Sequence, residues 1–253
     1  ELMRSRVFLA VVAVLPALLE GQVSPLAVVS AATFQTDAPL APDMLASGFS
    51  AAIPRVSESA SGTPLPTELA GFSLLVRDGA GVERPAGLIG VFPGQVNFVV
   101  PAATAAGTAT LTLRRSGSVA AAGTVRVARV APGIFTANSS GRGAPAGLAL
   151  VVSPDGTRRT EELFEWNASL NAFAPRPLDL SPAGRQVFLM LFGTGIRGSS
   201  GDLVATMAGE RIPVLSAAAQ GQFAGLDQVN LGPCPAVSPE DAGPSSSPCW
   251  STP

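Results

Sequence analysis

The sequence predicts an all-β protein made of two tandem β-sandwiches, the second of which lacks its last two strands. Short apolar runs alternate with turn residues every 8 to 15 positions, and residues 30–130 lack a convincing 3.6-residue helical periodicity. Hydrophobic residues make up 47% of the 253 and charged residues only 13%, so packed cores are expected. One short phrase also occurs twice, about a domain apart, which marks a repeated unit. Its two copies are Gln95, Val96 and Asn97, and then Gln228, Val229 and Asn230.

The first half contains seven predicted strands, bounded by Gly, Pro and Asp turn residues. They cover residues 28–34, 44–49, 72–77, 88–92, 95–100, 108–113 and 124–130. In the sixth, alanine and leucine alternate with threonine, which is the pattern of a half-buried strand. In the seventh, Val125 and Val127 share one face while Val130 falls on the other, which predicts a bulge or a twist near residues 128–129.

The second half repeats this order of predicted strands but lacks the last two. Its predicted strands cover residues 148–153, 186–192, 203–207, 211–215 and 228–231, with a hairpin of 162–166 against 171–174. In the first half two more strands follow Gln-Val-Asn, whereas in the second half a Pro/Ser-rich stretch follows it. The second domain is therefore expected to have unpaired strand edges and an uncovered apolar face, which favour association.

The chain divides into five predicted regions. These are a signal peptide at 1–22, a first domain at 23–135, a linker at 136–146, an incomplete second domain at 147–231 and a disordered tail at 232–253. Arg4 and Arg6 precede a 13-residue apolar run at 7–19, which is too short to span a bilayer comfortably and is typical of a secretory signal. The mature chain is therefore expected to be secreted or held at the cell surface, without a membrane span.

The only two cysteines, Cys234 and Cys249, lie in the predicted tail. In an exported protein they could form a disulfide, because thiols oxidise in that compartment. The surrounding Pro/Ser/Gly sequence has no apolar pattern to hold the two residues together, so paired and free thiols both remain open. Two thiols without histidine partners would make only half of a zinc site.

The composition argues against most catalytic and nucleic-acid-binding roles. The chain has no histidine, its 16 basic residues are all arginine, and they are scattered rather than gathered into a positive stripe. A dinucleotide-type G-x-G-x-x-G occurs at 193–198, but a strand-like run follows where that motif needs a helix, so a glycine-rich turn is the better interpretation. We expect no enzyme activity, no cofactor, no metal and no nucleic-acid partner. Asp78 and Asp155 each precede a glycine and are interpreted as turn residues.

Four stretches in order, at 29–34, 92–101, 130–135 and 191–195, resemble a large bacterial family. Its members carry an uncharacterised C-terminal module of two tandem Ig-like (IPT/TIG-like) β-sandwiches at the ends of secreted proteins. The resemblance covers roughly residues 27–231. It implies that both sandwiches are Ig-like, that the protein is extracellular, and that its role is non-catalytic.

Two groups of residues are candidates for a functional site. The aromatic residues Phe164, Trp166 and Phe173 of the 161–178 hairpin could form a contact surface, or they could close the seam between the domains. In the repeated phrase, Gln and Asn could form a polar binding face. The favoured interpretation is structural: their side chains fasten the backbone of a neighbouring loop, and Val96 and Val229 point into the cores.

These observations lead to one main functional hypothesis and one alternative. The main hypothesis is a non-catalytic secreted module that acts as a spacer, an adhesion unit or a surface-assembly element. The alternative is a carbohydrate-binding module that uses the aromatic residues of the 161–178 hairpin. The corresponding partners would be cell-surface proteins or a polysaccharide.

Overall fold

The computed structural model describes residues 23–180, 184–201, 203–207 and 209–235. Within these ranges the regular structure consists of strands and contains no helix, which confirms the predicted all-β class. No helix there is long and apolar enough to cross a bilayer. The expected signal peptide at 1–22 and most of the predicted tail, residues 236–253, lie outside the described residues.

The strands are numbered in chain order. The first eleven are β1 (Ser24–Pro25), β2 (Ala27–Ser30), β3 (Leu45–Phe49), β4 (Glu58–Ser59), β5 (Glu68–Leu69), β6 (Phe72–Arg77), β7 (Glu83–Pro85), β8 (Gly87–Phe92), β9 (Gln95–Val99), β10 (Gly107–Arg115) and β11 (Ser118–Val127). The others are β12 (Gly133–Ile134), β13 (Gly147–Val152), β14 (Arg158–Glu162), β15 (Phe164–Asn167), β16 (Ala172–Pro175), β17 (Gln186–Thr194), β18 (Ala205–Met207), β19 (Glu210–Ile212), β20 (Val214–Ala219) and β21 (Asp227–Leu231).

The N-terminal strands form two sheets that pack face to face. One sheet has the order β1-β11-β10-β6-β5, with β7 also on β6, and the other has the order β2-β3-β9-β8-β4. Their pairings are antiparallel apart from β1 with β11. Leu74 and Leu111 from one sheet and Val96 and Phe98 from the other lie in one buried cluster. A sandwich with its core between the sheets is therefore formed, as the strand pattern predicts.

Strand β10 shows how the sequence pattern sets this packing. Its residues Ala109, Leu111 and Leu113 are buried, while the threonines between them are exposed or half-buried. The bulge expected near residues 128–129 is wrong, because β11 ends at Val127 and leaves the ladder there. The shift in register between β10 and β11 lies between Leu113 and Arg114 instead.

The C-terminal strands form one larger sheet and two separate hairpins. The sheet has the order β14-β13-β17-β21-β20, with β12 also on β17, and all of these pairings are antiparallel. Hairpins β15–β16 and β18–β19 are two-stranded sheets of their own. The described residues give ten buried apolar side chains in the core cluster here, against 22 in the N-terminal cluster. The C-terminal core is therefore the smaller of the two.

The connection between the two halves differs from the predicted boundary at residue 135. Strand β12 pairs with β17, so Gly133 and Ile134 belong to the C-terminal sheet. The predicted linker at 136–146 is a closed loop in which Ala137 N donates a 2.9 Å hydrogen bond to Ala144 O. Ala144 is buried. The chain therefore enters the second sheet before the predicted linker begins.

The start of the predicted disordered tail makes backbone hydrogen bonds. Gly232 N donates a 2.9 Å hydrogen bond to Pro213 O, and Cys234 N donates a 2.7 Å hydrogen bond to Val187 O. Cys234 also packs against the C-terminal core, and this burial raises the pKa of its thiol to about 11. Residues 232–235 therefore lie against the C-terminal sheet, and the disordered tail expected at 232–253 stays a prediction. Cys249, the other cysteine of the possible disulfide, lies outside the described residues.

Candidate functional site

Hairpin β15–β16 presents a wholly apolar face. Trp166 pairs directly with Phe173, and Phe164 pairs with Pro175. Because side chains alternate between the two faces of a strand, these four residues share one face. Glu165 lies on the opposite face. The three aromatic residues singled out from the sequence are thus brought together by the register of one hairpin.

The three rings contact one another edge to face. The ring centroids of Trp166 and Phe173 are 5.3 Å apart at an interplanar angle of 81°, and those of Phe164 and Phe173 are 5.4 Å apart at 84°. This T-shaped arrangement is the favoured geometry for aromatic pairs. Trp166 is nevertheless 55% exposed and Phe173 is 39% exposed. The rings are therefore held in place by each other while much of their surface faces solvent.

The turn of the hairpin fixes the register that brings the rings together. The side-chain oxygen of Asn167 accepts hydrogen bonds from Ser169 N at 3.0 Å and from Leu170 N at 3.1 Å. Asn171 has a φ of 48°, a left-handed conformation that asparagine tolerates better than most residues. A slip of one residue would move Trp166 to the other face. The turn chemistry therefore positions the aromatic cluster.

The base of the hairpin is attached to the C-terminal sheet by Leu163. Its side chain is buried in the core, its N–H donates a 3.1 Å hydrogen bond to Gly147 O, and its carbonyl accepts one of 3.0 Å from Arg176 N. A 3.4 Å ion pair joins Arg176 to Glu165. The hairpin is thus anchored at its base, and its aromatic rings lie outside both core clusters.

The first Gln-Val-Asn copy forms a short chain of side-chain hydrogen bonds on β9. Gln95 Nε2 donates a 2.7 Å hydrogen bond to Asn97 Oδ1, and Ser47 Oγ donates a 2.8 Å hydrogen bond to the same oxygen. Val96, between them, is fully buried. The two polar side chains bond to side chains of the sheet, rather than to the loop backbone that the sequence interpretation assigned to them.

The second copy forms a similar chain on β21. Gln228 Nε2 donates a 2.9 Å hydrogen bond to Asn230 Oδ1, and Asn230 Nδ2 donates a 2.8 Å hydrogen bond to Ser216 Oγ. Val229 is buried. The serine partner lies on β20, whereas in the first copy it lies on β3. Each copy therefore fastens its central strand to a neighbour, but on opposite sides.

The glycines of the G-x-G-x-x-G stretch lie against the backbone that connects the two halves. A Cβ added at Gly193, Gly195 or Gly198 would lie 2.3 to 2.7 Å from a carbonyl oxygen of residues 129–133, which no real side chain tolerates. Ala131 N donates a 2.9 Å hydrogen bond to Gly195 O. Within the described residues no helix follows the motif. Its glycines therefore allow close backbone packing.

Thr194, inside that stretch, joins the two halves through its hydroxyl. Oγ1 accepts a 2.7 Å hydrogen bond from Leu45 N and donates a 2.7 Å hydrogen bond to Gly225 O. The side chain of Thr194 is fully buried. Gly225 in turn packs closely on Leu45 and Val99, on the first half of the chain. The seam between the halves is therefore made by these residues rather than by the aromatic hairpin.

Asp227 is a buried carboxylate that the sequence reasoning missed. Its oxygens accept hydrogen bonds from Ile196 N at 2.7 Å and from Arg197 N at 3.2 Å, and Oδ1 is 2.5 Å from Arg197 Nε. It is fully buried, so its charge is balanced by this ion pair and by the backbone donors. One signal in the sequence could have found Asp227. In the first copy Gln95 follows Gly94 directly, whereas in the second copy residues 226–227 lie between the glycine and Gln228.

Asp78 is a buried carboxylate of the first half, in the turn between β6 and β7. It accepts hydrogen bonds from Ala80 N, Val82 N and Ala105 N, each of 3.0 Å, and pairs with Arg84 at 2.6 Å. These contacts, the Ala105 N–H first among them, lower its pKa to about 2. It thus forms the turn between β6 and β7, as its place before a glycine suggests, and also fixes a distant loop.

The remaining surface offers shallow grooves. The larger groove is open and is lined mainly by residues 33–39 with Arg126 and Arg142. Across the described part of the chain, no three histidine, cysteine or acidic side chains lie close enough together to hold a metal ion. The aromatic face of hairpin β15–β16 is therefore the surface whose chemistry is most clearly suited to a contact.

No protein-family model matches the chain, and comparisons with curated proteins and with solved structures give no match either. The resemblance to the tandem Ig-like module family therefore stays a prediction from the sequence.

Proposed function

We propose that the chain is a secreted, non-catalytic module of two tandem Ig-like β-sandwiches, the second incomplete, which acts as a structural and interaction element at the cell surface. The duplication is supported by the pairing of the Gln-Val-Asn strands. Strand β9 lies between β3 and β8, and β21 lies between β17 and β20. The next strand out also matches: β2 pairs with the other edge of β3, and β13 pairs with the other edge of β17.

The strands before each Gln-Val-Asn copy add to this support. Hairpin β6–β7 leads into β8, and hairpin β18–β19 leads into β20. The β8–β9 and β20–β21 pairings each contain a register shift, at residues 88–90 and 214–216. After β9 come β10 and β11, whereas the described residues after β21 contain no counterpart of either strand.

The contact function is supported best by the exposed aromatic face of hairpin β15–β16. Trp166 and Phe173 are ordered by mutual ring contacts and still face solvent, which costs free energy in an isolated chain. Aromatic residues are enriched at protein interfaces, and tryptophan is a frequent hot-spot residue because one ring buries a large area. A protein partner with an apolar pocket fits this face.

A carbohydrate partner is the second candidate, because an exposed indole such as that of Trp166 can stack on a sugar ring. Sugar recognition also needs polar side chains near the ring to bind hydroxyl groups. Phe164, Phe173 and Pro175 share the face of Trp166, and the side-chain oxygen of Asn167 is used by the turn. This arrangement favours the protein partner over the carbohydrate.

A cell-binding assay tests the proposal. It measures retention of the purified full chain on intact cells of the producing bacterium, with and without prior protease treatment of the cells. A polysaccharide panel is run beside it. For a protein partner, we expect retention that protease treatment removes and that Trp166→Ala reduces at least tenfold. The matched control is Leu215→Ala, which removes an apolar side chain that is also exposed but lies on β20.

Three other outcomes would contradict part or all of this proposal. Retention on protease-treated cells and on a polysaccharide, lost in Trp166→Ala, would establish the carbohydrate alternative. Equal losses in the Trp166→Ala and Leu215→Ala variants would show that the hairpin is not the contact. Absence of retention on cells and on every polysaccharide would overturn the interaction role. Because Trp166 lies outside the core, the melting temperature of its alanine variant should stay within a few degrees of the parent.

A further inference from the structure

Strand β18 has one paired edge and one open edge. It pairs with β19, and the described residues contain no strand on its other side. In the proposed duplication its counterpart is β6, which pairs with β7 on one side and with β10 on the other. The edge that β10 covers in the first unit is thus open in the second. An open edge presents unpaired N–H and C=O groups to any extended chain.

The first unit shows what the missing neighbour contributes to the core. Strand β10 places Leu111 beside Val76 and Leu113 beside Leu74, and all four side chains are buried. The apolar side chains at every second position of β10 thus complete the buried face of the sheet that packs against β9. Burial of such leucine side chains stabilises the folded sandwich.

In the second unit the side chains beside the open edge of β18 are only partly covered. Leu203, Ala205 and Met207 alternate along the chain as the inward residues of β6 do, yet all three stay half-buried. Val204, between the first two, is 61% exposed. The apolar surface that β10 covers in the first unit therefore remains accessible beside β18.

The backbone N–H and C=O groups at the open edge of β18 point in the direction that an added strand needs. Only two residues separate Met207 from Glu210, so these two form the hydrogen-bonded pair that closes a two-residue hairpin. Pairs alternate in an antiparallel ladder, so the next pair, Thr206 and Arg211, points its N–H and C=O groups away from the partner strand. The N–H and C=O of Thr206 therefore face the open edge.

We propose that the open edge of β18 binds an extended segment of a partner protein that has apolar side chains at every second residue, as β10 does beside β6. This proposal rests on the duplication put forward above. Addition of a strand to an open sheet edge is a common mode of peptide recognition, in which the backbone gives affinity and the side-chain pockets give specificity.

The two strands that would fill the corresponding place in the first unit are not available to β18. Both β10 and β11 are already paired in the N-terminal sandwich. Residues 236–253 contain four prolines and no run of alternating apolar residues. Proline lacks the N–H that a ladder needs, which makes this sequence a poor donor strand. We therefore assign the added strand to a partner protein.

A labelled peptide with the sequence of β10, residues 107–115, is the probe. Its binding to the full chain is followed by fluorescence anisotropy and by hydrogen exchange of the Thr206 amide. The control peptide carries serine in place of Leu111 and Leu113, which keeps its length and charge. We expect the β10 peptide to bind at least tenfold more tightly than the control and to protect the Thr206 amide from exchange.

Two variants of Thr206 test the acceptor edge. Thr206→Pro removes the N–H that faces the edge, whereas Thr206→Val keeps it and retains a β-branched side chain. We expect the proline variant to lose peptide binding and the valine variant to keep it. The near-ultraviolet circular dichroism of both should match the parent, which separates loss of binding from loss of fold.

Several results would overturn the proposal. Equal binding of both peptides would indicate non-specific apolar adhesion, and no binding of either would show that the edge accepts no such strand. A Thr206 amide already protected in the isolated monomer would mean that the chain covers its own edge. Protection that appears together with a dimer in sedimentation would identify a second copy as the occupant. Retention on cells through Trp166 should be unchanged in Thr206→Pro, so this proposal and the contact function can fail independently.

Discussion

The amide nitrogen of Leu45 donates a 2.7 Å hydrogen bond to the hydroxyl oxygen of Thr194, 149 residues further along the chain. The same hydroxyl donates to Gly225 O, so one buried side chain satisfies backbone groups from both halves of the molecule. A buried backbone group that loses its partner costs free energy, and the seam between the halves therefore depends on this hydroxyl.

Thr194→Val keeps the shape of the side chain and removes both hydrogen bonds. We expect it to lower the free energy of unfolding by about 2–4 kcal/mol, because the buried carbonyl of Gly225 and the partly buried N–H of Leu45 lose this partner. Urea unfolding measures this. Thr194→Ser retains the hydroxyl and should lose less than half as much. Equal losses in the two variants would show that packing of the methyl group, not hydrogen bonding, holds the seam.

Gly195→Ala tests the close approach of the connecting segment. Gly195 has a φ of +73°, and an added Cβ would lie 2.3 Å from Ala131 O. Gly156 has a similar φ of +82°, but no atom lies within 4 Å of an added Cβ. Gly156→Ala should therefore cost only the backbone strain of about 1–2 kcal/mol. We expect Gly195→Ala to lower the melting temperature much further, and equal shifts would contradict the packing described for residues 129–133.

The pH dependence of stability should report on Asp78. Its folded pKa of about 2 lies below its ordinary value of 3.8, so the folded state favours the ionised carboxylate. Asp78 therefore contributes stability above about pH 4 that is lost as the pH falls toward 2. Acid unfolding of Asp78→Asn should be less steep over this range than that of the parent. Asp155→Asn, at an exposed turn, is the control and should change the curve less.

The two Gln-Val-Asn copies provide a comparison within one chain. Asn97 accepts the hydrogen bond of buried Ser47, whereas Asn230 bonds to Ser216, which is exposed. We expect Asn97→Ala to cost about 1–3 kcal/mol, because it leaves the Ser47 hydroxyl buried without this partner. Asn230→Ala should cost less than half as much, since water can replace its contact. Differential scanning calorimetry measures both, and an unchanged melting temperature in Asn97→Ala would contradict a structural role for this residue.

Local patterns allowed much of the strand content to be predicted from the sequence. Alternation of threonine with apolar residues located β10, and the turn at Asp78 and Gly79 located the end of β6. Strands of two residues, such as β1 and β4, escaped notice because so short a segment carries no period. They exist because a distant strand provides hydrogen-bond partners, and pairing at a distance leaves no local pattern in the sequence.

In the candidate site, too, local contacts could be predicted from the sequence and distant ones could not. The cross-strand pairing of Trp166 with Phe173 follows from a hairpin whose turn residues are adjacent in sequence, so it could be anticipated. The partners of Thr194 and Asp227 could not be anticipated, because these contacts depend on how Leu45 of β3 and the loop before β21 meet the end of β17 in space. Sequence alone also misassigned Gln95, whose amide bonds to a side chain of its own strand.

The pairing of β12 with β17 decides how the molecule can be divided for expression. A recombinant second half that starts at the predicted boundary, Gly147, leaves behind residues 129–134, whose backbone lies against its three packing glycines. The backbone groups of residues 192–195 that bond to that strand would then face water, and the fragment should be less soluble than the full chain. A fragment that starts at Arg129 keeps this segment. The practical border between the two halves therefore lies about 18 residues earlier than the turn-rich loop suggests.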